Sequence, residues 1–418
     1  MTNLLETTKL HKAIPGPPSS GIFDLRQGSF FIFPYKNDQT RTVRLERVIF
    51  RSNSIIGRGT IVIRVECACH NCPAPDRCDW KEKKLVLKMS FPSTSRIPDR
   101  MLMDRCKELA QGEHAWVLDH LPDIIWSFDI PFRDGSPQYN FKKKYGGEFE
   151  MRVMRGVIFE ELKPLSSLKT AKERAQVFYD IVQCELSIYI KHSHPTSYSF
   201  QATTGQGNIM VREKNGKKYG ILNDWDLAFW LDKKHDGSTS RFRTGTKPYM
   251  AHEQHSSKWK GPHRYRHDLE SIFYVMLLLV CLYSRPDEKL RRPRTEGDRY
   301  EEWHQRDDEF LYDKKHHAVT AAATWKPPVT AFFSGFVLWL ITLQRSIRRG
   351  FYEFGDATQL GPKALNPEMH YVDEETLGGH LSYEKVISIV HLFEEEELET
   401  RGREWQLHLE NLRQNRVD

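Results

Sequence analysis

No stretch of this chain is both long enough and apolar enough to cross a bilayer. The nearest candidates, Ile272–Tyr283 and Val329–Leu343, fall short of the roughly 20 residues that a spanning helix needs. Each is expected as a buried core helix instead. The opening Met1-Thr2-Asn3-Leu4-Leu5-Glu6 does not read as a signal peptide, because its apolar run is short and Glu6 interrupts it. Charge of one sign is scarce too. The 62 basic and 56 acidic residues leave a formal net charge of +6 over 418 residues, too little for the concentrated basic face of a nucleic-acid-binding domain. Only seven cysteines occur, which excludes a disulfide scaffold and points to a reducing compartment. No internal repeat at solenoid or propeller periods is visible. The expectation is an intracellular protein, cytoplasmic or nuclear, with no membrane and no nucleic-acid partner.

What is there is a chain with a core. A 39% hydrophobic and 12% aromatic composition rules out a mostly disordered protein. At roughly 150 residues per domain, the length suits two or three units or one large two-lobed domain. Residues 1–40 read as a flexible leader and lead-in, with Pro15-Gly16-Pro17-Pro18-Ser19-Ser20 unable to pack. From Thr42 the residues turn β-branched, and Val43–Phe50, Ser54–Ile56, Ile61–Val65, Lys84–Met89 and Met151–Leu162 predict strands, with a helix over Asp99–Ala110. The rest reads as mainly helical, over Lys169–Lys191, Leu269–Tyr283, Thr330–Ile347 and Tyr383–Phe393. One strand pair interrupts it, Asn208–Arg212 with Gly220–Asn223, joined through Asn215-Gly216, the strongest short hairpin signal. The acid run Glu394–Glu397 reads as a solvated helix face. A β-rich part followed by a helical part is an α+β order.

The chemistry is concentrated in a few phrases. Ile221-Leu222-Asn223-Asp224-Trp225-Asp226-Leu227-Ala228 places an acid after a short apolar strand. The hairpin brings Asn208 to the same end of the strand pair as Asp224, and two oxygen ligands there suit Mg²⁺. Further on come Thr244-Gly245-Thr246-Lys247-Pro248-Tyr249-Met250-Ala251-His252-Glu253 and His267-Asp268-Leu269-Glu270-Ser271-Ile272-Phe273-Tyr274-Val275. Upstream, Leu85-Val86-Leu87-Lys88 puts a lysine on a strand, and Ile56-Gly57-Arg58-Gly59-Thr60 is a glycine-rich turn. In this order the phrases resemble a protein kinase. The wording of Tyr249-Met250-Ala251, of the phrase from His267 to Val275 and of Glu375-Thr376-Leu377-Gly378-Gly379-His380 resembles the fungal-type protein kinase domain family over about residues 40–395.

The resemblance implies a two-lobed fold. Residues 41–162 would form the β-rich N-lobe, with a Cys-rich insertion near 66–79, residues 163–395 the helical C-lobe, and 396–418 a charged helix or tail. It implies ATP, met by Gly57, Gly59 and Lys88, and Mg²⁺, met by Asn208 and Asp224. Asp268 and Glu253 would be structural. The lysine needs an acidic partner on the first helix, and Asp99, Asp104 and Glu108 all remain open. The glycine-rich turn departs from the family pattern, since Val62 stands where a third glycine would.

The catalytic loop departs further. Counting back from Asn208, the base position of His-Arg-Asp-x-x-x-x-Asn is Thr203, within Gln201-Ala202-Thr203. A threonine hydroxyl is no base near neutral pH, and losing a positioned base costs about 10²–10⁴-fold in rate. Either the site is truly degraded, or a local frame or splice error runs through Glu185–Gln206. The leading expectation is an ATP-binding pseudokinase that acts on a protein partner. An active Ser/Thr kinase phosphorylating a protein substrate, with Asp226 the nearest alternative acid, is the second. A non-nucleotide scaffold is the third, stapled by structural Zn²⁺ on Cys67, Cys69, Cys72 and Cys78, with His70 among them.

Overall fold

The computed structural model describes residues 27–52, 58–68, 78–132, 134–146, 149–190, 198–199, 208–223, 225, 229–230, 246–261, 263–285, 298–322, 324–360 and 373–415. The chain divides into two compact units. One comprises the residues up to Met103 together with Pro122–Glu161, and the other comprises Asp104–Leu121 and Leu162 onward.

The first unit is an antiparallel sheet. Its strands are β1 (Phe30–Pro34), β2 (Thr40–Arg51), β3 (Ile61–Cys67), β4 (Leu85–Ser90), β5 (Ile124–Pro131) and β6 (Val153–Glu160), in the spatial order β1-β2-β3-β4-β6-β5. Period-two burial explains the core: Leu85, Leu87 and Met89 of β4 join Ile61, Ile63 and Val65 of β3 on one face. Phe33 stacks on Phe128 with centroids 4.9 Å apart and lies against Trp80. Gly156 of β6 faces Phe128 across the sheet, and a Cβ there would come within 2.1 Å of the ring. The sheet starts earlier than the expected lead-in allowed. Phe30–Pro34 pairs with Thr40–Arg44 and buries Phe31 and Phe33, because an unbroken aromatic run can only be hidden from water inside a core. Strand β5 and helix α2 (Pro137–Tyr145) were likewise not expected. Of the expected strand Ser54–Ile56, all residues lie outside those described.

The boundary between the units falls inside helix α1 (Asp99–Leu109). The second unit holds α3 (Ala171–Ile190), α4 (Tyr265–Leu282), α5 (Asp308–Thr320), α6 (Phe336–Leu360), α7 (Tyr383–Val390) and α8 (Arg403–Gln414). Helix α4 is buried from Arg266 to Leu282, as its apolar sequence demands. The other apolar stretch is not one core helix. Ala331–Phe333 forms a 3-10 turn, and α6 starts at Phe336 with Leu338 71% exposed. Among the described residues no helix is long and apolar enough to cross a membrane.

The Asn-Gly signal is met. Ile209–Lys214 pairs antiparallel with Lys217–Leu222, and Asn215 and Gly216 take φ of 53° and 75°, the left-handed values that a two-residue hairpin turn requires. Gly220 lets this hairpin lie directly on α3, since a Cβ would meet the Val177 carbonyl at 2.6 Å. The acid run Glu394–Glu397 is not a helix face. Glu394 and Glu395 take positive φ and form the turn of a small hairpin between Leu392–Phe393 and Glu396–Glu397. Burial of Phe393 against Phe336 and Trp339 selects that turn over a helix.

Candidate functional site

Lys88 lies mid-strand on β4, directly opposite Val62 of β3 and Val157 of β6. Its alternation with Leu87 and Met89 turns it away from the sheet's core cluster. It is nonetheless buried, 8% exposed, and its Nζ meets Asp99 Oδ2 at 3.4 Å, with Asp99 3% exposed. Of the three acids that sequence leaves open, Asp99 is therefore the partner. Asp104 and Glu108 are exposed, and Glu108 accepts from Arg105. Asp99 stands in the first turn of α1, where the helix dipole favours a carboxylate.

What fixes that turn was invisible in sequence. Arg155 of β6 donates to both Asp129 oxygens at 2.8 Å and to the carbonyls of Arg96 and Ile97, just before α1. It is a buried clamp on the entry to the helix that bears Asp99. Gly59 has φ +56°, and a neighbouring bond from the Phe91 amide to the Arg58 carbonyl ties the turn to the chain after β4. Gly57 lies outside the described residues.

In the second unit, Asn208 stands at the open end of the hairpin, and its carbonyl accepts from the Asn223 amide at 2.7 Å. Trp225 is buried and donates to the Leu222 carbonyl at 2.9 Å, so it packs. Asp224, Asp226 and Thr203 lie outside the described residues. The same hairpin is gripped from beneath by charge. Asp180 of α3 accepts from the Gly220 amide at 3.0 Å and from Arg401 at 3.1 Å, while His120 Nδ1 lies 2.8 Å from the Gly220 carbonyl. Burial holds His120 below the usual histidine range.

The phrases around Glu253 and Asp268 form a buried network. Glu253 accepts from Arg266 and His267. Burial would raise its carboxyl, but these donors win and hold it at about 2. Burial pushes His267 down to about 4 against the pull of Glu253. Glu270 receives the His252 amide at 2.8 Å, the His252 ring at 2.8 Å and the Tyr274 hydroxyl at 2.6 Å on one oxygen. Burial opposes ionisation there as well, and the His252 charge and these bonds outweigh it, so Glu270 stays well below the usual range. Asp268 sits 3.1 Å from His263 Nε2 through both oxygens. Lys315 of α5 is fully buried, donates to the carbonyls of Lys247 and Met250, and lies 3.0 Å from His255 Nε2. Burial lowers its amine far below the usual value. The Lys247–Met250 segment is thus clasped from behind by a lysine that no motif announced.

Cys67 and Cys78 have their sulfurs 3.4 Å apart, whereas Cys69, His70 and Cys72 lie outside the described residues. Among the described residues no group of three or more His, Cys, Asp or Glu side chains is gathered to hold a metal, so the zinc expectation gains no support. His316 and His317 are exposed.

No curated protein matches the chain. A family match does occur, starting within β5 and ending within α4, so that Gly59, Lys88 and Asp99 lie outside it and stand on their geometry alone. Residues 129–281 match the family described as fungal protein kinase.

Proposed function

We propose that this chain is a two-lobed, fungal-type protein-kinase-like domain that binds ATP with Mg²⁺ and is impaired in phosphoryl transfer. In this reading the N-lobe would be the sheet unit, which starts at Phe30 rather than at residue 41, and residues 163–395 would form the C-lobe. The observation that carries the reading is the buried Lys88–Asp99 pair. A lysine on an inner strand costs several kcal/mol to desolvate unless its charge is matched, and Asp99 holds that charge where a phosphate can meet it. Lys88 would contact the α/β-phosphates, and Asn208 with Asp224 would hold Mg²⁺, which draws charge off the phosphates. Thr203 would leave the acceptor hydroxyl without a base. The work of the domain would then be done on a protein partner rather than by turnover.

The test is the thermal shift of the purified chain with ATP, with and without Mg²⁺. Ligand at about 100 times its Kd adds roughly 2.7 kcal/mol of stability, a rise of about 3 °C for a chain of this size. The paired variant Lys88→Met/Asp99→Asn avoids burying a lone charge and should lose the shift. Thr203→Asp should raise phosphoryl transfer about 10²–10⁴-fold without changing that shift. No shift at saturating ATP would sink the nucleotide reading. High turnover in the unaltered chain would sink the impaired one.

A further inference from the structure

We propose that Cys67 and Cys78 are a redox-modification site, which closes to a disulfide on reaction with a low-molecular-weight disulfide such as oxidised glutathione. Their sulfurs stand 3.4 Å apart, so little more than an ångström separates them from the ~2.0 Å of a bond. Both ends are anchored. Cys67 is the last residue of β3 and pairs with Val43 of β2, and Cys78 leads into Trp80, which is buried in the sheet core. Both cysteines are partly exposed.

Arg41 supplies the electrostatics. Its Nη1 lies 3.7 Å from Cys78 Sγ, and its guanidinium is stacked over Trp80 at 4.1 Å and Tyr35 at 4.3 Å. A fixed positive charge beside a sulfur favours the thiolate that attacks. Asp79 accepts from the same guanidinium at 3.1 Å, which holds the group in place while sharing its charge. The other described cysteines are more deeply placed. Cys106, Cys184 and Cys281 are buried, and burial pushes the Cys106 thiol up to about 12.

The step balances. The Cys78 thiolate attacks one sulfur of the oxidant and forms a mixed disulfide, releasing one low-molecular-weight thiolate. Cys67, deprotonated, then attacks the Cys78 sulfur, forms the Cys67–Cys78 bond and releases the second thiolate. Two protein thiols are oxidised by two electrons, and one oxidant disulfide is reduced to two thiols. The product staples the β3–β4 connection, next to the strand that carries Lys88.

The experiment incubates the full reduced chain with oxidised glutathione, blocks remaining thiols and maps peptides without reduction. A Cys67–Cys78 linked peptide is expected, with Tm raised by about 3 °C and returned by dithiothreitol. Cys67→Ser should stop at a glutathione adduct on Cys78 with no rise in Tm. Bridges through Cys69 or Cys72 instead, or Cys67 and Cys78 still fully open to alkylation, would overturn the assignment. So would uptake of added Zn²⁺ by the reduced chain that protects both thiols, because the pair would then belong to a metal site.

Discussion

Asp99 and Glu270 are both buried carboxylates on helices, yet they are held in different ways. Glu270 gathers the His252 amide, the His252 ring and the Tyr274 hydroxyl at 2.6–2.8 Å. Those are the short distances of charge-assisted bonds. Asp99 meets Lys88 at 3.4 Å, well outside that range. The first arrangement is a fixed internal joint between the Ala251–His255 turn and α4. The second pairs opposite charges at a longer distance. A buried ion pair is weak evidence of stability in itself, whereas a carboxylate that takes three short bonds on one oxygen reads as scaffold. Such charged joints supplement the apolar core of the helical unit, whereas the sheet unit is packed mainly through stacked aromatics and cross-strand aliphatics.

The largest break in that contrast should come from Glu270→Gln. It leaves the His252 ring and the Tyr274 hydroxyl around a neutral amide, and about 3–5 kcal/mol should be lost, read by urea denaturation. A loss under about 1 kcal/mol would show that the joint is not structural.

Acid probes the same unit without mutation. His255 and His267 titrate near 4 in the folded chain, both lowered chiefly by burial, against an ordinary 6.5. Between those values the unfolded chain binds more protons, so this stability is complete above about 6.5 and falls away as pH drops toward 4. From pH 7 to pH 5 the loss should be on the order of 2–4 kcal/mol. Glu253, lowered to about 2 from 4.5, adds a further loss below pH 4.5, with the same sign. A flat Tm from pH 7 to pH 5 would contradict both histidine placements.

Next comes Gly220→Ala, which drives a methyl into the Val177 carbonyl at 2.6 Å, a backbone atom that cannot swing aside. About 1–3 kcal/mol should be lost. Gly156→Ala meets a ring instead, so comparing the two measures how far the aromatic stack of the sheet can yield. The smallest effect is expected at the surface. Arg306→Ala removes an exposed i,i+4 pair with Glu302 and should change stability by no more than about 0.5 kcal/mol. A larger change would mean that exposed charge matters as much as buried charge here.

Local signals were readable wherever one residue type forces one conformation. Asn215-Gly216 dictates its hairpin because both positions need positive φ, and the unbroken apolar run of α4 has nowhere to go but the core. Signals failed where two conformations hide the same residues. Phe30-Phe31-Ile32-Phe33 has no alternation and follows a proline-rich leader, so nothing in its period separates strand from lead-in. Glu394–Glu397 is polar in a helix or in a turn, and only the packing of Phe393 decides between them. The Arg155 clamp and the Lys315 clasp left no trace in sequence, because each joins positions far apart in the chain.

By itself the sequence determined the α+β order, the hairpin that carries Asn208 and a lysine on a strand, and its phrases resembled a kinase over about residues 40–395. The first three follow from side-chain periodicity and from residue types that admit few backbone conformations. The tertiary structure alone decided that Asp99, and not Asp104 or Glu108, faces Lys88. Three acids on one short helix are equivalent until Arg155 fixes where that helix begins, and only then does burial distinguish the one carboxylate that must be paired from the two that water can solvate.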